Sequence, residues 1–196
     1  QPEGIEPSQV AQKELRKRKI EFMGARLEEV RLENSVYDAI RLAWVLEHVI
    51  SPRAVLQQLR GALKSGGLLS ITVPNDFTTI QNALHSKRVA EDKVGEWWIG
   101  EDHINYFNHD SLFKLLVGGG FSVVERFATF PIELFALAGQ DYVGSRKMGR
   151  QVHAVRKAAE VALWKTGDGR GALINLSKAF ARASVGRDIM MLARKG

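Results

Sequence analysis

The sequence predicts an α/β fold: a three-layer sandwich around a mostly parallel sheet, N-terminally truncated and carrying a helical insertion before its last strand. Three observations predict it. The run Leu68-Leu69-Ser70-Ile71-Thr72-Val73 is almost wholly apolar, rich in β-branched residues, and stopped by Pro74-Asn75. A strand buried on both faces of a parallel sheet has that composition. Strand-like and helix-like patterns alternate on either side of it, which is the signature of helices layered on a sheet. Segment 131–184 then turns wholly helical before a final β-type stretch.

The elements follow in order. Pro7 and Ser8, a turn residue and an N-cap type, precede a helix over 9–19 with Val10, Ala11 and Leu15 among charged residues. A short strand, Ile20-Glu21-Phe22-Met23, comes next, and 37–46 reads as a buried strand running into a loop or a helix start. Ser51-Pro52 opens a helix through Val55, Leu56, Leu59 and Leu63, with proline at its first position and Gly66-Gly67 closing it. After the apolar strand 68–73, Asp110-Ser111 caps a helix through Leu112, Leu115 and Leu116 that breaks at Gly118-Gly119-Gly120. Residues 121–127 form the next strand. The helical segment is interrupted by a loop over 166–171, and 188–193 forms a last edge or hairpin strand.

Composition narrows the function. The chain has 196 residues, 45% hydrophobic and 26% charged, ordinary for one soluble domain. It has no cysteine, which removes disulfides, thiolate zinc sites and cysteine nucleophiles. No apolar run approaches the roughly 20 residues of a membrane helix, and the start lacks a signal-peptide pattern, so a soluble cytoplasmic protein is expected. The first residue is not Met, which suggests a beginning that was processed, trimmed or left out. The net charge of +6 gathers at Lys13, Arg16, Lys17, Arg18 and Lys19 and again from Arg146 onward. Such a surface attracts nucleic acid or anionic membrane, but no aromatic-interleaved RNA signature accompanies it. Solvated helix faces are the simpler reading, and nucleic acid is not expected as a partner.

Three ordered segments are more specific: Gly4-Ile5-Glu6-Pro7-Ser8; then Tyr37-Asp38-Ala39-Ile40 leading to Val45-Leu46-Glu47-His48-Val49; then Leu63-Lys64-Ser65-Gly66-Gly67-Leu68. With His103 to Phe107 and Gly120-Phe121, this series resembles class I, Rossmann-like S-adenosylmethionine-dependent methyltransferases. The resembling group is bacterial and includes ubiquinone-biosynthesis O-methyltransferases. It covers roughly 4–130 and, more loosely, the last strand. The implied organisation is a partial methyltransferase core over 1–130, a helical accessory region over 131–185, and the last core strand over 186–196. The implied cofactor is S-adenosylmethionine and the implied reaction is methyl transfer to a small-molecule acceptor, foremost a hydroxyl.

The resemblance also implies a site. Glu6, at the carboxyl end of a strand, would accept hydrogen bonds from ribose hydroxyls, with a helix-start carboxylate as the plainer role. Ala25, Arg26 and Leu27 match the adenine loop, where many relatives carry an acid in place of Ala25. Ala43 and Trp44 would lie beside the methionine half of the cofactor. His48 and His103 are candidate bases for an acceptor hydroxyl, because imidazole titrates near neutral pH. A structural histidine remains the alternative. Asn75, Tyr106 and Phe107 would wall the acceptor pocket, while Gly95, Trp97 and Trp98 fit either that pocket or the sheet edge. Some quinone-biosynthesis relatives hold a divalent metal with Glu-x-x-Glu-His, but Trp44 replaces the first glutamate here. No metal is therefore expected.

The resembling enzymes begin with a strand and a glycine-rich turn that should precede Gly4, and residues 1–3 do not supply them. Impaired cofactor binding by this chain is the expected consequence. A competing reading is a non-catalytic module that binds protein or nucleic acid through its basic C-terminal helices. A narrower one keeps the enzyme but gives it a glycan or lipid-linked precursor as acceptor. A homodimer through the accessory helices is left open.

Overall fold

A computed structural model describes residues 1–93, 99–100 and 102–196 and shows the expected α/β sandwich, with helices on both sides of a mixed sheet. The first unit is β1 (Glu3–Ile5), α1 (Gln9–Lys17) and β2 (Glu21–Gly24), a parallel pair joined by a helix. Ser8 caps α1 by accepting from the Ala11 N–H. The helix stops two residues before its predicted end because Lys19 takes a positive φ of 56° and turns the chain back.

The second unit is β3 (Tyr37–Ala43), α2 (Pro52–Ala62) and β4 (Leu63–Pro74), again parallel. Ser51 and Pro52 open α2 as expected. The glycine pair, however, does not end it. Helix α2 finishes at Ala62, and Gly66-Gly67 lies inside β4, where pairing jumps from Tyr37 with Leu63 to Ala39 with Leu68. The extra residues bulge outward, with Gly66 at φ +72°, and a Cβ on Gly67 would come within 2.9 Å of the Lys64 carbonyl. The diglycine therefore serves a tight strand irregularity.

The remaining elements are α3 (Thr79–Ala90), α4 (His109–Gly118), β5 (Phe121–Ala128), α5 (Glu133–Leu137), α6 (Arg146–Trp164), α7 (Gly167–Arg182) and β6 (Asp188–Lys195). Three expectations are corrected among them. Asn108, not Asp110, caps α4, in a reciprocal box with Ser111. The expected loop 166–171 shrinks to a two-residue break, because Thr166 accepts from the Gly169 N–H and starts α7 at once. Strand β6 is no edge: it runs antiparallel between β4 and β5 in the order β3-β4-β6-β5, with Ile189, Met191 and Ala193 fully buried. Helix α7 packs on β5 through the Ser177 hydroxyl on the Ala128 carbonyl and the Lys178–Glu125 ion pair. No helix among the described residues is long and apolar enough to cross a membrane.

The strands form two sheets, not one. Among the described residues, β1 and β2 pair only with each other, and β3 pairs only with β4, on one side. The sheets meet where the Tyr37 hydroxyl, at the start of β3, donates to the Glu3 carboxylate, at the start of β1. That bond, then burial, then the negative charge of Glu3 push the Tyr37 phenol up to about 12. Ile5, Leu27 and Tyr37 also pack on the main core of Leu46, Leu56, Leu59, Leu69, Ile71 and Met191.

The two-stranded sheet has little burial of its own and should open first. In hydrogen exchange, amides of β1 and β2 should exchange about two orders of magnitude faster than those of Ile71 and Val73. Tyr37→Phe should speed the former and leave the latter unchanged. Equal protection of both sheets would show that they open as one unit.

Candidate functional site at the carboxyl ends of the strands

Ligands on open α/β sheets bind beyond the carboxyl ends of the strands, and this chain gathers its polar side chains there. At the end of β3, Trp44 adopts a left-handed φ of 54° while its N–H stays bonded to the Thr72 carbonyl. The indole is 52% exposed and its Nε1 donates to Asp188 Oδ1 at 3.4 Å. The loop that follows is anchored by buried Leu46 and Val49.

A second loop is tied onto this one. The Glu47 carbonyl accepts from the N–H groups of Ile104 and Asn105, and the Asn105 side chain donates to the carbonyls of Leu46 and Val49. These four bonds bring His48 and His103 together with ring centroids 4.9 Å apart. Tyr106 stands next, 6.2 Å from His103 and 6.0 Å from Phe77, with its hydroxyl donating to the Gly100 carbonyl. His48 Nδ1 lies 2.9 Å from the Asp102 carbonyl. A carbonyl only accepts, so Nδ1 carries a proton in this bond, and in the neutral ring Nε2 would be the basic nitrogen. That Nε2 is 4.0 Å from Glu47 Oε1.

The floor is acidic. Glu47, Asp76 and Glu133 are each 1% exposed. Burial raises Glu47, with the charges of Asp76 and Asp188 adding to the effect. Burial also raises Asp76, from 3.8 to about 6, against the partly offsetting charge of Arg187. Glu133 is answered by Gln81 Nε2 at 3.4 Å and by Arg187 at 3.6 Å. Glu47, His48 and His103 also place one ligand atom each within 4.8 Å of one another. The sequence reading counted only the first two of these donors, so His103 is an addition that only the fold supplies.

On the cofactor side, Glu6 directly follows β1; its N–H bonds the Gly24 carbonyl and its Oε1 accepts from the Ser8 N–H at 2.8 Å. Ala25 and Arg26 directly follow β2, whereas Leu27 is 7% exposed and committed to the core. Ala43 ends β3. Asn75 is fully buried, its Nδ2 donating to the Gly186 carbonyl, so it pins the end of β4 to the turn before β6. Phe107 is likewise a core residue, and its carbonyl accepts from the Asp76 N–H at 2.7 Å. Gly95, Trp97 and Trp98 lie outside the described residues. Asp76, Glu133, Arg187 and Asp188 had not been singled out. A charged residue directly after a buried strand, as Asp76 follows Pro74-Asn75, was the available signal.

Asp76 has a consequence for stability. Its folded value lies above its unfolded one, so the folded chain holds the proton longer, and the benefit is lost as pH rises from about 4 to about 6. Above that window the buried charge costs about 3 kcal/mol. Asp76→Asn should therefore raise the melting temperature at pH 8 and match the parent at pH 4. A variant less stable than the parent at pH 8 would contradict an unpaired carboxylate.

Comparison with known proteins agrees with this architecture. Residues 1–126 match the family described as "Methyltransferase domain". No curated protein matches the chain. Among solved structures, a possible histamine N-methyltransferase from Thermotoga maritima superposes with a TM-score of 0.56 at 13% identity, over all of this chain and 73% of that one. The cyclase SpnF gives 0.54 at 19% identity, over all of this chain and 66% of its own. Phosphoethanolamine N-methyltransferase 2 from Haemonchus contortus, in complex with S-adenosylmethionine, gives 0.53 at 15% identity, over 98% of this chain and 43% of its own. At such identities these structures speak to the fold, and it is the family match that decides membership. The chain belongs to the methyltransferase domain family of enzymes.

Proposed function

We propose that this chain transfers a methyl group from S-adenosylmethionine to a hydroxyl of a small molecule or glycan precursor, with His48 as the base. The observation that carries this reading is the His48–His103 pair, held by the Asn105 bonds beside the carboxyl end of β3, with His48 Nε2 open. The resemblance to ubiquinone-biosynthesis O-methyltransferases supports a hydroxyl acceptor.

The residues present fit the nucleoside half of the cofactor. Only Oε1 of Glu6 accepts from Ser8, which leaves Oε2 for the ribose hydroxyls. When bound, S-adenosylmethionine supplies an electrophilic methyl on a sulfonium. The chain's own work is then positional, holding the acceptor oxygen in line at near-attack distance. His48 Nε2 would take the hydroxyl proton as the acceptor oxygen gains the methyl and the methyl's bond to sulfur breaks, S-adenosylhomocysteine leaving as the neutral thioether, and the Asp102 carbonyl would support the resulting imidazolium through Nδ1–H. Phe77 and Tyr106, with ring centroids 6.0 Å apart, would offer the acceptor an aromatic surface.

Among the described residues one edge of β1 and one edge of β3 carry no partner strand, and on this reading a further parallel strand, followed by a turn whose amides approach the cofactor, would fit there. Calorimetry with S-adenosylhomocysteine tests it. A form extended upstream by one strand should bind at least about tenfold tighter than residues 1–196, a gain of about 1.4 kcal/mol. Absence of binding by both forms would leave the basic-helix interaction module as the surviving reading.

For the extended form, His48→Ala should lower turnover by about 10²- to 10⁴-fold with cofactor affinity within about twofold. His103→Ala should lower it less. Unchanged turnover in both would remove the imidazoles from the chemistry.

A further inference from the structure

Four buried acceptor atoms near the carboxyl end of β4 have no hydrogen-bond donor among the described residues: Glu47 Oε2, Asn75 Oδ1, and Asp76 Oδ1 and Oδ2. Buried polar atoms are almost always satisfied, and an acceptor left without a donor is costly. Here they are concentrated at the proposed site. Asn75 and Asp76 are adjacent in the chain, and Glu47 and Asp76 are close enough for each charge to act on the other. Asp188 and Glu133 add negative charge to the same end of the sheet.

The cations present do not answer these atoms. Arg187 Nη1 lies 3.6 Å from Glu133 and makes no hydrogen bond among the described residues, so the guanidinium acts on Asp76 as a charge and donates to none of the four atoms. His48 faces Oε1 of Glu47, not the unanswered Oε2. Trp44 is engaged with Asp188. The recess therefore offers four unanswered acceptor atoms and the charges of Glu47, Asp76, Glu133 and Asp188 against a single guanidinium among the described residues, that of Arg187.

A group with several N–H donors and a positive charge complements it. A hydroxyl brings one donor and no charge, whereas an ammonium brings three donors and a full charge. We propose that the recess formed by Glu47, Asn75 and Asp76 binds a protonated primary amine carried by the methyl acceptor. Resting on the hydroxyl reading above, this makes the acceptor an amino alcohol, with its hydroxyl at His48 and its ammonium against Asp76 and Glu47. The 4.0 Å between His48 Nε2 and Glu47 Oε1 suits a hydroxyl and an amine on neighbouring carbons. The amine is an anchor in this arrangement and takes no part in bond making. Asp76 and Glu47 are specificity-determining residues.

The test needs no turnover and uses the chain as it stands. Binding is measured by saturation-transfer NMR and calorimetry with 2-aminoethanol against ethane-1,2-diol, and with D-glucosamine against D-glucose. The amines should bind at least about tenfold tighter than their neutral counterparts. Asp76→Asn and, independently, Glu47→Gln should each abolish that difference. In the extended form, both variants should keep their affinity for S-adenosylhomocysteine within about twofold, which separates this proposal from the methyltransferase reading.

Equal binding of amine and neutral probe would overturn the proposal. So would an Asp76→Asn variant that weakens S-adenosylhomocysteine as much as the amines, since the recess would then hold the amino group of the donor. Tight binding of Zn²⁺ or Mn²⁺ that is lost in Asp76→Asn and blocks the amines would overturn it as well, and assign the recess to a metal.

Discussion

Strand β4 carries the architecture. It is paired with β3 on one edge and β6 on the other, and residues 71–76 are buried on both faces. Its side chains Leu69, Ile71 and Val73 have no exposure, so the strand cannot shift without opening the core on both sides. Its carboxyl end is fixed just as firmly: Asn75 bonds to Gly186 and Arg187, and Asp76 bonds to Phe107. Several side chains of the candidate site are referred to that end. Trp44 hangs from Thr72, and β6 delivers Asp188 opposite Pro74.

That rigidity explains how the acidic floor persists. Folding gains little from burying Glu47 and Asp76, and the surrounding apolar packing overrides the cost. A local violation of polar satisfaction inside an otherwise consistent core is the pattern expected where a structure serves binding ahead of stability. Of the buried atoms without a hydrogen-bond partner among the described residues, the acceptors of Asn75 and Asp76 directly follow β4, and Glu47 adds one from the loop after β3. The aromatic side chains Trp44, Phe77 and Tyr106 stand around that end and are only partly buried.

Much of the fold was legible because it rests on local signals. Ser8 and Ser51 cap as their types suggest, and the apolar run through Val73 could only be an interior strand. The failures came where local signals compete. Gly66-Gly67 reads as a helix stop, but its use depends on how β4 registers against Tyr37 and Ala39. Asn108, Asp110 and Ser111 are all capping types, and only geometry selects among them. Strand β6 looks like an edge because nothing in its residues reveals that it is inserted between β4 and β5. At the site, His48 and His103 could each be suspected alone. Their meeting depends on Asn105 bonding to Leu46 and Val49, a pairing without local periodicity. Asp76 was overlooked because Pro74-Asn75-Asp76 reads as an ordinary turn.

The separation of the strands into two sheets has a consequence for how the enzyme responds to change. The candidate ribose and adenine residues ride on the β1–β2 ribbon, and the histidines and carboxylates ride on the four-stranded sheet. Tyr37 with Glu3, and the packing of Ile5 and Leu27, are the seam between them. On the function proposed above, the residues assigned to the donor and those assigned to the acceptor are then carried by different sheets, so a substitution in one sheet changes the residues of the other only through that seam. A single melting temperature would then describe only the larger unit, and heat could silence the nucleoside half while the acceptor half still holds its shape.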